Sequence, residues 1–273
     1  MTNLKQKILE KAQLREFSNF NIDNPKTWCE KMQWLQLNDD IELRAKCADK
    51  IKVHEYSIEK LGKDICVPIL KIYDTPSQLD FNELPDQFVL KCNHGYAYNI
   101  IVRDKSKISE TECKGKLEKW LNIPFGDKSL EPHYLKIDRK CYAEKFIENS
   151  GQLEVTDYKF VCFNGVPTYC QILNGRHTPD FHLNYYDMDF NFVDISRTDV
   201  KNDSAKLDAC PKHFHIMKEY AKKLSQDFRF VRVDFYEADN TVYLGELTFT
   251  PATGFIRWTD PNIDLEFGNR IKL

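Results

Sequence analysis

The residues best placed to do chemistry cluster between Val231 and Thr250. Residues 230 to 236 alternate, with Val231, Val233 and Phe235 on one side and Arg232, Asp234 and Tyr236 on the other. Ala238-Asp239-Asn240-Thr241 supplies turn chemistry and residues 242 to 249 return, so the stretch predicts a β-hairpin. A two- or three-residue loop centred on Asp239 and Asn240 pairs Asp234 with either Gly245 or Glu246. In the second register two carboxylates stand opposite each other, with Cβ atoms about 5 Å apart. Like charges so placed destabilise a sheet and persist where a cation sits between them; hard oxygen ligands at that spacing suit Mg²⁺. A solvated acidic face has the same composition, and the pair taken alone favours that plainer account.

A second group surrounds Lys91. Phe88-Val-Leu-Lys91 predicts a strand that enters a polar loop, Cys92 to Asn99, and leaves through Ile100 to Arg103. Backbone N–H groups in such a loop can cradle phosphate, and a lysine at the strand end can reach phosphate oxygens. An ordinary hairpin with an exposed lysine shares this pattern. His94 reads as a loop hydrogen-bonding residue, because no second ligand stands at helical or hairpin spacing from it. A third group lies on another predicted hairpin, residues 157 to 163 and 166 to 173 around Asn164-Gly165. Asp157 and Lys159 share a face of its first strand, and Arg176 lies just past its second. Cys92 and Cys162 read as small buried hydrophobes beside these groups.

Several further elements must position these groups. Residues 4 to 16 predict a helix with a thin apolar stripe, and residues 25 to 37 carry Trp28, Met32, Trp34 and Leu35 as core. A helix capped by Asp39 or Asp40 runs to about Leu61 and stops at Gly62. Residues 65 to 73 predict a strand, 74 to 85 a linker, 109 to 121 an amphipathic helix, 124 to 132 irregular chain and 141 to 147 a strand. A polar loop with aromatics spans 180 to 197. The helix at 212 to 227 bears the stripe Phe214, Met217, Ala221, Leu224 and Phe228, and residues 251 to 273 read as loop-rich. The formal net charge of −3 and the absence of a basic block argue against nucleic acid as a partner. No apolar run is long enough to span a bilayer and no signal-peptide region opens the chain, which suits a cytoplasmic protein. The nine cysteines are scattered without a CxxC pair, so neither a disulfide framework nor a zinc ribbon is expected.

Taken in order, these pieces resemble the ATP-grasp superfamily, and most closely its TupA-like branch, named for teichuronopeptide biosynthesis and associated with bacterial surface polysaccharides. The match rests on Ala48-Asp-Lys-Ile-Lys-Val53, Phe88-Val-Leu-Lys-Cys-Asn-His-Gly95, Asn99-Ile-Ile-Val-Arg-Asp-Lys105, Ala143-Glu-Lys-Phe-Ile147, Asp157-Tyr-Lys-Phe-Val-Cys-Phe-Asn-Gly165, Val231-Arg-Val-Asp-Phe-Tyr236 and Gly245-Glu-Leu-Thr-Phe-Thr-Pro251. It implies an α+β fold in which two subdomains clasp ATP: a helical N-terminal region at 1–70, a lid subdomain at 71–146 and a C-terminal subdomain at 147–273 that carries the Mg²⁺ site. It also implies roles. Lys91 contacts ATP phosphates, and the loop from Asn93 to Asn99 closes over them, with Asn93, His94 and Gly95 binding the nucleotide. Glu144, Lys145, Phe146 and Ile147 form the adenine hinge, with Glu144 near the amino group. Asp157 binds ribose, Lys159 faces the phosphates and Arg176 approaches the transferred phosphoryl group. Asp234 and Glu246 ligate Mg²⁺, with Thr248 where many relatives have Asn. Tyr96 and Tyr98 replace the small residues usual in the phosphate loop, and His54 stands where an arginine is expected.

The activity so implied is ATP-dependent carboxylate–amine ligation through an acyl phosphate, with a sugar acid or amino acid as the carboxylate. The partners are then small molecules, the acceptor being open between nucleotide-linked and lipid-linked saccharides. Two other readings compete: a kinase of a sugar or small acceptor on the same scaffold, and a non-catalytic nucleotide-binding subunit suggested by the tyrosine-bearing loop.

Overall fold

The computed structural model describes residues 2–147, 156–175 and 181–273. Helices α1 (Thr2–Leu14), α2 (Trp28–Asn38), α3 (Ile41–Ala48) and α4 (Val53–Leu61) precede strands β1 (Ile69–Tyr73), β2 (Phe88–Cys92) and β3 (Asn99–Val102). Helix α5 (Glu110–Leu121) and the short α6 (Phe125–Ser129) lead to β4 (Cys141–Lys145). Strands β5 (Asp157–Phe163), β6 (Val166–Asn174), β7 (His182–Tyr186) and β8 (Phe192–Val193) are followed by α7 (Phe214–Ser225), β9 (Phe230–Ala238), β10 (Thr241–Thr248) and α8 (Asn262–Arg270). Among the described residues no helix is long and apolar enough to cross a membrane.

The chain divides into two compact units at points other than the boundaries read from the sequence. One unit is Ile41–Leu153; the other joins Met1–Asp40 to Glu154–Leu273. The physical cause is α2. Its Trp28, Cys29, Met32 and Leu35 are buried in one cluster with Phe163 from mid-chain and Phe230, Trp258 and Phe267 from the far end of the sequence. Glycine at position 268 lets α8 approach α2 closely, since a Cβ there would collide with the backbone of Lys26 and Thr27. Residues 251 to 273 are therefore not all loop.

In the Ile41–Leu153 unit a four-stranded sheet has the order β1-β4-β2-β3, each neighbour antiparallel. Phe88, Leu90, Val102, Cys113, Leu117, Cys141 and Ala143 form its core against α5. The single helix expected up to Leu61 is broken into α3 and α4. The Asp49 carboxylate accepts the N–H groups of Ile51 (2.9 Å) and Lys52 (3.3 Å), offering the backbone a turn in place of a continuous helix.

In the other unit a six-stranded sheet has the order β10-β9-β5-β6-β7-β8. One face, bearing Phe160 and Phe235, packs on α7, whose Phe214, Met217, Ala221 and Leu224 are buried as the stripe predicts. Strands β7 and β8 lie in the stretch expected as loop. Every residue of β7 is buried, including Asn184, so the strand shows no alternation to read. Asn184 is satisfied by the Asp203 N–H (2.9 Å), the Lys206 carbonyl (2.9 Å) and Asp208 (3.2 Å).

Candidate active site

Strands β9 and β10 place the two carboxylates through a turn and a bulge acting in sequence. Asp239 and Asn240 both have positive φ, 49° and 61°, as a tight two-residue hairpin turn requires. That turn pairs Ala238 with Thr241 and Phe235 with Leu244, a register that would bring Gly245 opposite Asp234. The register then shifts between Leu244 and Glu246, and Glu246 stands opposite Asp234. The shift also turns Glu246 from the core side to the side of Asp234, which is why Leu244 and Leu247 are both buried. Glycine is needed at the bulge because a Cβ would lie 2.7 Å from the Tyr236 ring.

Asp234 is 1 % exposed and is compensated on both oxygens. Arg232 donates to Oδ1 through Nε at 2.7 Å and to Oδ2 through Nη2 at 2.6 Å; Lys159, its neighbour across the β5–β9 ladder, donates to Oδ2 at 2.7 Å. Lys159 also lies 3.3 Å from Asp157. The same Arg232 Nη2 reaches Thr248 Oγ1 at 3.1 Å and Glu246 at 3.5 Å, and Thr248 donates to Glu246 at 3.0 Å. The Arg232 guanidinium thus reaches both carboxylates. Burial works against the Arg232 charge, but the Asp234 carboxylate raises its pKa overall. Burial pushes the Asp234 carboxyl upward, partly offset by Arg232 and Lys159. Sequence reasoning placed Arg232 on this face without assigning it a role; its spacing of two residues from Asp234 on a strand was the available signal.

The Ile41–Leu153 unit assembles the second group. Lys91 forms an ion pair with Glu144 across the β2–β4 ladder. Lys145 ends β4, and Phe146 and Ile147 follow it. The Asn93 side chain is committed to the loop's own frame: its amide donates to Asp49 (3.0 Å) and the Asp138 carbonyl (2.9 Å) and its oxygen accepts from Lys140 N–H (2.8 Å). Lys50 Nζ donates to the Gly95 carbonyl at 2.5 Å, and Gly95 takes φ 69°. His94 is fully buried, and among the described residues no group meets full hydrogen-bond geometry at either ring nitrogen, although the Ile123 and Trp120 backbone favours its charged form slightly. Burial, reinforced by Arg139 and Lys50, lowers its pKa to about 4. Tyr98 stacks on Trp120 with centroids 5.5 Å apart, whereas Tyr96 is 62 % exposed and meets Phe125 edge-on. One tyrosine therefore anchors the loop and the other faces solvent. Cys92 and Cys162 are buried as packing residues. Arg176 lies outside the described residues.

A model of the TupA-like ATP-grasp family matches residues 30–272, and the chain belongs to that family; its fold is the α+β ATP-grasp fold. Solved structures similar in fold include D-alanine–D-alanine ligase from Bacillus anthracis complexed with ATP (13 % identity, TM-score 0.45, 74 % of this chain and 55 % of that one). The Helicobacter pylori D-alanine–D-alanine ligase gives 16 % identity, a TM-score of 0.43, and coverage of 83 % and 61 %. Phosphoribosylamine–glycine ligase from Thermotoga maritima gives 14 %, 0.44, and 82 % and 51 %. The chain thus matches 51 % to 61 % of the length of these proteins. No curated protein matches the sequence.

Proposed function

We propose that the chain is an ATP-dependent ligase that joins a carboxylate to an amine. The observation that carries this reading is the bulge at Gly245, which sets Glu246 opposite buried Asp234 with Lys159 and Arg232 against them. Asp234, Glu246 and Thr248 are oxygen donors, a set that fits Mg²⁺. Bound there, Mg²⁺ would neutralise phosphate charge as the phosphoryl group transfers. Lys159 and Arg232 are held by surrounding carboxylates and supply fixed positive charge where negative charge develops. Arg176 is assigned to the transferred phosphoryl group and Asp157 to ribose.

In the other unit Lys91 is assigned to phosphate, exchanging Glu144 for the nucleotide. Glu144 then accepts from the adenine amino group, and the backbone of Lys145, Phe146 and Ile147 completes the hinge. Asn93 holds the loop frame, so contacts to phosphate fall to backbone N–H groups at His94 and Gly95. A substrate carboxylate oxygen attacks the γ-phosphorus and ADP departs, leaving an acyl phosphate. The amine nitrogen then attacks the acyl carbon, phosphate leaves, and the amine's proton passes to solvent. We assign the carboxylate to a sugar acid or amino acid used in surface-polysaccharide biosynthesis, the acceptor to a nucleotide- or lipid-linked saccharide, and the reaction to the cytoplasm, where ATP is supplied.

The test is incubation with ATP, Mg²⁺ and pools of sugar acids and amines, with ADP, phosphate and new amides all measured. Equal yields of the three are expected. ADP with a stable phosphoester and no released phosphate would make the chain a kinase. No ADP from any pool, with nucleotide bound, would point to a non-catalytic subunit.

A further inference from the structure

The Ile41–Leu153 unit contains a second convergence of metal-binding side chains, separate from the oxygen donors of β9 and β10. His54 lies in the first turn of α4. The helix ends at Gly62, whose φ of 72° turns the chain back, and Ser57 fastens the returning segment by accepting the Ile65 N–H and donating to the Lys63 carbonyl, each at 3.2 Å. Asp64 and Cys66 follow at alternate positions on the way to β1. Asp64 is fixed by accepting the Cys66 N–H at 2.9 Å, and its other oxygen lies 2.7 Å from His54 Nδ1. One imidazole nitrogen, one carboxylate oxygen and the Cys66 sulfur lie within 4.8 Å of one another.

We propose that His54, Asp64 and Cys66 bind a Zn²⁺-like divalent cation, with solvent as the fourth ligand. Nitrogen, oxygen and thiolate sulfur together select a borderline-soft ion over Mg²⁺. With bonds of about 2.0–2.3 Å, ligand atoms around tetrahedral zinc stand roughly 3.5 Å apart, so the His54–Asp64 pair at 2.7 Å opens slightly to admit the ion while the sulfur, within 4.8 Å, draws in. Cys66 is 7 % exposed, while the Asp64 side chain is 38 % exposed and leaves room for water. Burial, Asp64 and Glu144 all disfavour a thiolate at Cys66 in the metal-free chain. A bound cation reverses that balance, because a coordinating thiol is deprotonated outright and its proton is released to solvent. The thiolate and carboxylate then match the ion's charge. The bound ion would clip the start of α4 to the segment leading into β1. A hydrogen-bonded His–Asp pair with the Cys66 thiol packed against Asp64 and Ser57 is the competing account, and it needs no ion.

Cobalt(II) is the probe. The full chain is stripped with chelator and titrated with Co²⁺, then with Zn²⁺. One tightly bound Co²⁺ per chain is expected, with visible bands of tetrahedral cobalt and a near-ultraviolet thiolate-to-cobalt band, both lost on adding Zn²⁺; the oxygen-donor site of β9 and β10 gives no thiolate band. Cys66→Ser should abolish the thiolate band. Since even outer-shell partners of metal ligands change affinity about 10–100-fold, His54→Gln and Asp64→Asn should each weaken Co²⁺ binding by at least about 100-fold. Asp234→Asn should leave it unchanged, so the outcome does not depend on the ligase reading. A parent without a thiolate band, or a band that survives in Cys66→Ser, overturns the proposal. Should Cys66→Ser fail to fold, the His54 and Asp64 variants decide: unchanged affinity in both rejects the site.

Discussion

A buried carboxylate with a cation on each oxygen behaves differently from two carboxylates facing each other alone. The sequence places Asp234 opposite Glu246 in one register and predicts repulsion between them; the structure puts the Arg232 guanidinium between them, so Asp234 compensates buried Lys159 and half-buried Arg232. Asp234→Asn should therefore cost about 3–5 kcal/mol in urea denaturation with EDTA, as breaking a buried pair does elsewhere. Glu246 is more exposed and further from the guanidinium, and Glu246→Gln should cost under about 1 kcal/mol. A stability gain in Asp234→Asn would show that repulsion dominates after all. Arg232 also competes with any metal for these oxygens. Removing a unit charge a few ångströms away is worth more than about 1.4 kcal/mol at an effective dielectric of 20. Arg232→Met should thus tighten nucleotide-free Mn²⁺ binding at least about tenfold by electron paramagnetic resonance; unchanged affinity would mean that the guanidinium does not block the metal.

At the level of elements, the hairpin shows what was legible and what was passed over. Val242 and Leu244 fall at even positions, Leu247 and Phe249 at odd ones, so the buried parity changes at Gly245-Glu246. That change signals a bulge in sequence alone and would have resolved the two registers. Strand β7 gave no such signal, because it is buried on both faces. Gly245→Ala should cost about 1–3 kcal/mol by driving a methyl into the Tyr236 ring, and shortening that ring's reach with Tyr236→Leu should recover most of the loss. The strand–loop–strand β2–β3 has a different vulnerability. His94 is neutral in the fold, with its pKa lowered to about 4 by burial, while in the unfolded chain it titrates near 6.5. The unfolded state therefore binds more protons between these values. Stability is complete above about pH 6.5 and falls as the pH drops towards about 4, by up to about 3 kcal/mol for this group. Buried His133, also shifted down, adds to the slope. Chemical denaturation across this range should give a shallower profile for His94→Asn than for the parent; parallel profiles would remove His94 from the account.

On the scale of the whole molecule, the order of motifs along the chain made the ATP-grasp fold legible, but the partition into units was not. A local pattern identifies Trp28 as core without saying which core. The structure sends it across the sequence: Trp28 is 2 % exposed and meets Phe230 and Trp258 edge-on at 5.5 and 6.3 Å. Phe230 begins β9, the strand that carries Arg232 and Asp234. Helix α2 therefore buttresses the strand that carries the candidate site and is no separate N-terminal region. Trp28→Ala should open a cavity costing about 3–5 kcal/mol. The loss should be local to one unit, because Trp28 packs into the cluster shared by Met1–Asp40 and Glu154–Leu273. Native-state hydrogen exchange can read both claims at once. Amides of Val231 to Phe235 should exchange faster in the variant, and those of Phe88 to Cys92 in the Ile41–Leu153 unit should keep their protection. Were residues 1–70 an independent helical region, the substitution would leave the β9 amides as slow as in the parent. Equal acceleration in both sheets would instead make the two units a single cooperative body.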